Sequence, residues 1–224
     1  MYRTCLCFSL LCLLSLAAHA QTEDAVQDPY AKEILDKSAE KIRSLKSIQA
    51  DFTLVIEDRK EDARSISEGN ILVKQEKYKL ISGENTVFFD GTTMWTYASD
   101  INEVVVTEPD SSDDDFLSNP AKIFTWYSRD FKYRYVGETT LSGSKYHEID
   151  LYPKNLDQPY SMIKVFINLA TQVPEMISSI GKDGVDYTVN LKNISTDKEV
   201  ADATFVFDPR MYRKVEVIDM RGIK

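Results

Sequence analysis

The sequence predicts a mainly β fold, one large antiparallel sheet of about 11–12 strands with a helix in front of it and a short helix inserted midway. Three observations carry this. From residue 50 onward apolar and polar residues alternate with period two through most of the chain. Turn signals such as Asp90-Gly91 separate the runs. Helical spacing occurs only near the start and after Pro120, so most strands have no crossover helix between them, which argues against a doubly wound parallel sheet.

The first 20 residues, MYRTCLCFSLLCLLSLAAHA, pair one basic residue, Arg3, with an apolar run and the small-residue end Ala18-His19-Ala20. They read as a secretory signal peptide cut after Ala20, which leaves residues 21–224 as one exported domain. Removing Arg3 takes the net charge from −9 to −10. All three cysteines (Cys5, Cys7, Cys12) leave with the leader, excluding disulfides, thiol chemistry and Cys-based metal sites. Leu10-Leu11 before Cys12 lacks the small residue that a lipidation signal requires, so the expected product is unlipidated, soluble and periplasmic. No later stretch approaches the ~20 apolar residues of a membrane span. An acidic chain without a basic stripe is repelled by phosphate backbones, so nucleic acid is not an expected partner.

Asp28-Pro29 supplies an N-cap and a first-turn proline, and Ile34, Leu35, Ala39, Ile42 and Leu45 follow at helical spacing. The spacing predicts an amphipathic helix over 29–46, with Lys32, Glu33, Asp36, Lys37, Glu40 and Lys41 on its wet face. The period then changes. Phe52, Leu54 and Ile56 alternate with Asp51, Thr53 and Glu57, with Val55 as the exception. One-faced strands follow at Ile71/Val73, Tyr78/Leu80, residues 86–89, Trp95/Tyr97 and Val104–Val106. After the interruption they resume at Phe131/Tyr133/Tyr135, Ile149/Leu151, Ile163/Val165/Ile167/Leu169, Met176/Ile180, Tyr187/Val189/Leu191 and Phe205/Phe207. Between the two sets, the acidic stretch 108–115 reads as a loop, and Pro120 with Ala121, Ile123, Phe124 and Tyr127 as the short helix.

A sheet of this size curls, splits or closes, and its apolar face has to meet something. Periodicity leaves a closed barrel, two packed sheets and a half-barrel capped by helices all open, and only the last leaves a cavity. The 22 aromatics outside the leader read first as core packing, with a greasy pocket as the alternative.

Four segments, in order, carry a resemblance: Ser47-Ile48-Gln49-Ala50-Asp51-Phe52-Thr53, Gly69-Asn70-Ile71-Leu72-Val73-Lys74, Asp90-Gly91-Thr92-Thr93-Met94-Trp95-Thr96-Tyr97 and Thr204-Phe205-Val206-Phe207-Asp208-Pro209. Together with the preceding helix and leader, the chain resembles the outer-membrane lipoprotein carrier family, LolA. The resemblance implies an incomplete, unclosed antiparallel barrel with a helical lid over an apolar cavity, which shields the acyl chains of lipoproteins between the inner and outer membranes. It also implies acylated lipoproteins as cargo, an inner-membrane lipoprotein-releasing ABC transporter as donor, an outer-membrane acceptor, a monomer, and neither cofactor nor metal. Burial of lipid is worth ~0.8 kcal/mol per CH₂, so an acylated protein leaves its bilayer only if something replaces the lipid around its chains.

On this reading the cavity wall is Phe52, Leu54, Ile56, Ile71, Val73, Tyr78, Leu80, Trp95, Tyr97, Ile149, Leu151, Ile163 and Val165, and the lid contributes Ile34, Leu35, Ile42, Phe124 and Tyr127. Where the family places an arginine linked to lid closure and release, this chain has Gln75 in Lys74-Gln75-Glu76. Glutamine lacks the charge and fork geometry of arginine, so Gln75 is the candidate release switch with its mechanism open.

Other chemistry-bearing residues have plainer readings. His147 has no nucleophile motif near it and reads as a structural or surface histidine. Glu148 and Asp150 share a strand face and read as its wet side, not as paired acids or a calcium site. Asp113-Asp114-Asp115 lacks the spacing of a calcium loop, and Trp126-Tyr127 suits either helix packing or a membrane headgroup region. An exported enzyme is the weakest class. A lipid- or lipoprotein-sensing regulatory module on the same half-barrel is the alternative to a carrier, because a shared fold does not decide function.

Overall fold

The computed structural model describes residues 27–109 and 130–222. The expected leader, most of the stretch read as an acidic loop, and the expected short helix after Pro120 with Phe124, Trp126 and Tyr127 lie outside the described residues. Among the described residues no helix is long and apolar enough to cross a membrane.

Among the described residues one α-helix, α1 (Pro29–Ser44), precedes twelve strands. They are β1 (Ile48–Asp58), β2 (Ala63–Lys74), β3 (Lys77–Ser82), β4 (Asn85–Phe89), β5 (Met94–Ala98), β6 (Glu103–Thr107), β7 (Phe131–Leu141), β8 (Ser144–Pro153), β9 (Tyr160–Asn168), β10 (Pro174–Gly181), β11 (Val185–Thr196) and β12 (Glu216–Asp219). They form a single sheet in the order β12-β6-β5-β4-β3-β2-β1-β11-β10-β9-β8-β7. Its two ends, β12 and β7, do not pair, so the barrel is unclosed. Hairpins build both halves, and β1 joins them by pairing with β11 over Ile48–Asp58.

Two features depart from the alternation read in sequence. Phe205 ends a 3₁₀ turn, Asp202–Phe205, and Phe205 and Phe207 are both buried without belonging to a strand. The last strand is instead β12, whose four residues are all exposed and which joins β6 in parallel. The edge of β6 recruits this segment, so no apolar alternation marks it.

Cross-strand partners share a face of a sheet. Register therefore traces one face without interruption. Tyr133 pairs with Leu151 and Leu151 with Ile163, while Ile149, Val165, Ile177, Val189 and Leu54 pair in succession from β8 to β1. From β1 the line continues through Ala50, Ile71, Leu80, Val87, Thr96 and Val105. This is the inner face, because α1 packs on it.

Asp28 seats the helix. Its Oδ1 accepts the backbone N–H groups of Tyr30 (2.9 Å) and Ala31 (3.3 Å), capping α1. Its Oδ2 accepts the N–H of Tyr135 at 3.0 Å, and its own N–H donates to the Tyr133 carbonyl at 3.2 Å. One carboxylate thus starts the helix and pins it to the edge strand. Burial opposes its ionisation, but the N–H donors of Tyr135, Ala31 and Tyr30 outweigh this and hold its pKa below the ordinary carboxylate value.

Candidate ligand-binding face

The inner face divides into two apolar clusters under different cover. On β7–β10, Phe131, Tyr133, Ile149, Leu151, Ile163, Val165 and Ile177 are buried together with Ala31, Ile34, Leu35 and Ala39 of α1. The helix seals this half. On β1, β2, β3 and β11, Ala50, Phe52 and Ile71 are buried, while Leu54, Val73, Leu80, Val189, Leu191 and Ile194 around them are only half-buried. Among the described residues α1 contributes nothing to this second cluster.

The seat of the helix contains a flaw. Ser38, 3% exposed, carries the one buried side-chain polar atom without a hydrogen-bond partner among the described residues. An unsatisfied buried hydroxyl costs ~1–3 kcal/mol, so the helix–sheet interface is weaker than its apolar contacts alone would make it. At the N-terminal end of the helix, Tyr30 packs edge-on against Tyr135 at 4.8 Å, and Tyr135 Oη lies 3.3 Å from His147 Nδ1. Burial lowers the His147 pKa, with Glu138 opposing and the Lys37 ammonium adding to the shift.

Of the residues assigned to the wall from sequence, Phe52, Leu54, Ile56, Ile71, Val73, Tyr78 and Leu80 lie on the inner face of β1–β3. Ile149, Leu151, Ile163 and Val165 lie on the same face under α1, against Ile34 and Leu35. Ile42 is half-buried near the helix end. Burial pushes the Tyr78 hydroxyl up to about 12, which keeps this wall residue neutral.

Trp95 and Tyr97 belong elsewhere. Trp95 pairs with Phe88 and Val106, and Tyr97 with Thr86 and Val104, which places both on the outer face. There they form an aromatic cluster with Phe88, Phe207 and Tyr212, the Phe207 and Tyr212 rings stacking at 4.5 Å. This corrects the wall assignment: the two rings anchor the C-terminal segment. The reason is that Thr96 and Val105, not Trp95 and Tyr97, continue the inner-face line from Val87.

Asp150 is the second correction, since it is 2% exposed and not on a wet surface. Arg134 Nη2 and Lys164 Nζ each reach its carboxylate at 3.1 Å from the flanking strands, and Tyr152 donates at 3.2 Å. Lys164 also reaches Glu148 at 3.0 Å, so an ammonium bridges the two acids. They form a cross-strand ion network, as buried charge requires.

Gln75 and Glu76 form the exposed two-residue turn between β2 and β3, with Gln75 at φ +56°. The residues that tie this turn to the rest of the molecule are its neighbours. Lys74 Nζ donates to the Val200 carbonyl and to Asp202, and Lys77 Nζ to the other Asp202 oxygen, all at 2.7 Å. These two donors hold the Asp202 carboxyl at about 2.

Sequence reasoning passed over Val189, Leu191 and Ile194 of β11. The first two alternate as plainly as the chosen wall residues. Ile194 is concealed by a β-bulge, where Asn193, at φ +52°, donates to Asp51 at 2.8 Å and turns Ile194 back toward the inner face.

Comparison with known proteins agrees with this architecture. A conserved protein of uncharacterised function from Thermus thermophilus superposes with a TM-score of 0.57 over 85% of this chain and 99% of its own, at 14% identity. MucB does so with a TM-score of 0.50 over 81% of this chain and 64% of its own, at 17% identity. A LolA superfamily protein from Nitrosomonas europaea gives 0.44 over 80% of this chain and 98% of its own, at 12% identity. At such identities the first two likenesses concern the fold alone, and the third carries no argument. No curated protein matches the sequence. In sequence, residues 43–208, from the end of α1 through Asp208, match the family described as outer membrane lipoprotein carrier protein LolA. That span includes β1–β11 and, but for Pro209, all four segments noted in the sequence, and the chain therefore belongs to the LolA family.

Proposed function

We propose that this protein carries the acyl chains of lipoproteins through the periplasm on the half of its inner face that α1 leaves half-buried, with α1 as a movable cover. The observation that carries this reading is the division of one continuous apolar face into a helix-sealed half and a half-buried half. Acyl chains placed against Leu54, Leu80, Val189 and Leu191 exchange bilayer for protein wall, at ~25 cal/mol per Å² of apolar surface removed from water. Displacing α1 extends the wall over Ile149, Leu151, Ile163 and Val165. A face of broad apolar contacts with a weakened cover suits cargo that is handed on.

The reading includes a leader removed after Ala20, a single domain over 21–224, a monomer, an inner-membrane ABC transporter as donor and an outer-membrane acceptor. Because Gln75 carries no charge, the family arginine's mode of release is not transferred to it. The test is to mix the purified 21–224 protein with proteoliposomes containing an acylated lipoprotein and a lipoprotein-releasing transporter, then add ATP. A water-soluble complex of the two proteins supports a carrier. Lipoprotein that binds this chain only while remaining in the membrane contradicts it and favours a sensor.

A further inference from the structure

Beyond β1 the inner-face line runs through Ile71, Leu80, Val87, Thr96 and Val105, and the parallel pairing of β12 adds Ile218 beside Val105. These six side chains come from six neighbouring strands and share one face, so they form a row that crosses the strands. None of them belongs to the cluster that α1 seals. On one side of the row, on the same face, Tyr78 and Phe89 are buried with their rings 5.3 Å apart. On the other side stand the short side chains of Ser82 and Ala98 and the bare backbone of Gly69.

Exposure falls along the row. Ile218, at the sheet edge, is 36% exposed; Val105, Thr96, Val87 and Leu80 are half-buried; Ile71 is 8% exposed and Ala50, its partner on β1, only 1%. One end is thus wet and the other dry. Neighbouring strands lie ~4.8 Å apart, so the row spans ~24 Å from Ile71 to Ile218. An acyl chain in a bilayer occupies one leaflet, about half of the ~30 Å hydrocarbon core. A whole chain therefore fits straight across the strands.

The outermost member of the row is held in place by its own segment. Asn102 Nδ2 donates to the carbonyls of Arg213 and Lys214 at 3.2 and 2.9 Å, and the Asn102 carbonyl accepts the Glu216 N–H at 3.1 Å. At the other end of β12 the Met220 N–H donates to the Val106 carbonyl at 2.9 Å. With Phe207 and Tyr212 packed on the outer face, one segment covers the outside of β4–β6 and completes the row on the inside. β12 itself lies past residues 43–208, the span that matches the family.

We infer that this row seats a single acyl chain, which enters at the β6–β12 edge past Ile218 and runs tail-first toward Ile71 and Ala50. This rests on the reading that the inner face takes acyl chains, and it gives that face a path, a mouth and a direction. The direction follows from the exposure gradient, because a polar head group keeps its water at the wet end while the tail gains most by leaving water at the dry one.

The experiment uses the 21–224 protein with labelled isoleucine, leucine and valine methyls and a short neutral peptide N-acylated with palmitate. The peptide carries a nitroxide either on its first residue or near the end of the chain, and the reference is the same sample after the nitroxide is reduced. The head label is expected to erase the Ile218 and Val105 signals and spare Ile71, and the tail label to do the reverse. Leu80→Trp, which fills the row midway, should weaken the palmitoyl peptide about tenfold and leave an octanoyl peptide within about twofold, because the shorter chain stops before position 80. The opposite labelling pattern, or equal effects of Leu80→Trp on the two peptides, would overturn the mouth at β12. Labels that erase Leu54, Val189 and Leu191 but leave Val87, Val105 and Ile218 intact would overturn the row and leave the acyl-chain reading standing. If neither label affects any inner-face methyl, the underlying reading fails and the row fails with it.

Discussion

The Phe52 ring fills the space that any side chain at Gly69 would need. A Cβ at position 69 would lie 2.4 Å from Phe52 Cζ and 2.2 Å from the Ile81 carbonyl oxygen. The two residues are direct cross-strand partners on β1 and β2. The missing side chain lets an aromatic ring lie flat across the neighbouring strand, where it covers the weakened glycine position and contributes to the inner-face floor.

Gly69→Ala should therefore lower stability by about 1–3 kcal/mol, the usual cost of overpacking a filled site, read from the urea midpoint at unchanged slope. Adding Phe52→Leu should not restore it, since the Ile81 carbonyl belongs to the backbone and cannot rotate away. Full recovery in the double variant would show that the ring alone demands a glycine there.

Inner and outer substitutions should separate ligand binding from stability. Leu54→Glu puts an unpaired charge on the wall and should weaken displacement of a hydrophobic dye by acyl ligands at least about tenfold. Lys79→Glu, on the outer face beside Phe88, should leave that binding within about twofold. Trp95→Asp should keep acyl binding in the folded fraction but cost about 2 kcal/mol or more of stability and expose residues 205–219 to proteolysis. Loss of acyl binding by Trp95→Asp without loss of stability would return Trp95 to the wall.

Trp95 also shows where the sequence stops being informative. Alternation says which residues of one strand share a face, but not which face of the sheet that is. On β1 and β8 the contrast between apolar and charged neighbours decides it. On β4–β6 both faces carry apolar residues, because the Phe207–Tyr212 segment covers the outside. Asp150 was illegible for a related reason, since its counter-charges, Arg134 and Lys164, come from other strands. The helix, its Asp28 cap and the half-barrel were legible because local chemistry or an ordered set of segments marks them. The bulge at Asn193 depends on a partner, Asp51, far away in the chain.

Hydrogen exchange over α1, residues 29–44, should respond in opposite directions to two substitutions. Ser38→Ala removes an unsatisfied buried hydroxyl and improves helix propensity, so protection should rise by about 1 kcal/mol. Asp28→Ala removes the cap and the clamp to Tyr135, and protection should fall by about 1–2 kcal/mol. A loss of protection in Ser38→Ala would mean that the hydroxyl has a partner that helps seat the helix.

The helix seat should also loosen in acid. The His147 pKa is lowered in the folded protein, so the unfolded chain binds its proton more readily. The stability contributed by neutral His147 is complete above its ordinary value of 6.5 and is lost as pH falls through the lower folded value. Protection of residues 29–44 should fall between pH 7.5 and 5 in the wild type and fall less in His147→Gln. Equal pH dependence in the two would assign the effect to other groups.

The inner face can be observed directly by methyl NMR of isoleucine, leucine and valine side chains while the 21–224 protein is titrated with a diacylated lipopeptide. Saturable shifts at Leu54, Val73, Leu80, Val189 and Leu191, joined by Ile34 and Leu35 as the helix moves, are expected if this face carries the acyl chains. Shifts confined to outer-face methyls such as Val55 and Val104, or no saturable shift at all, would contradict it.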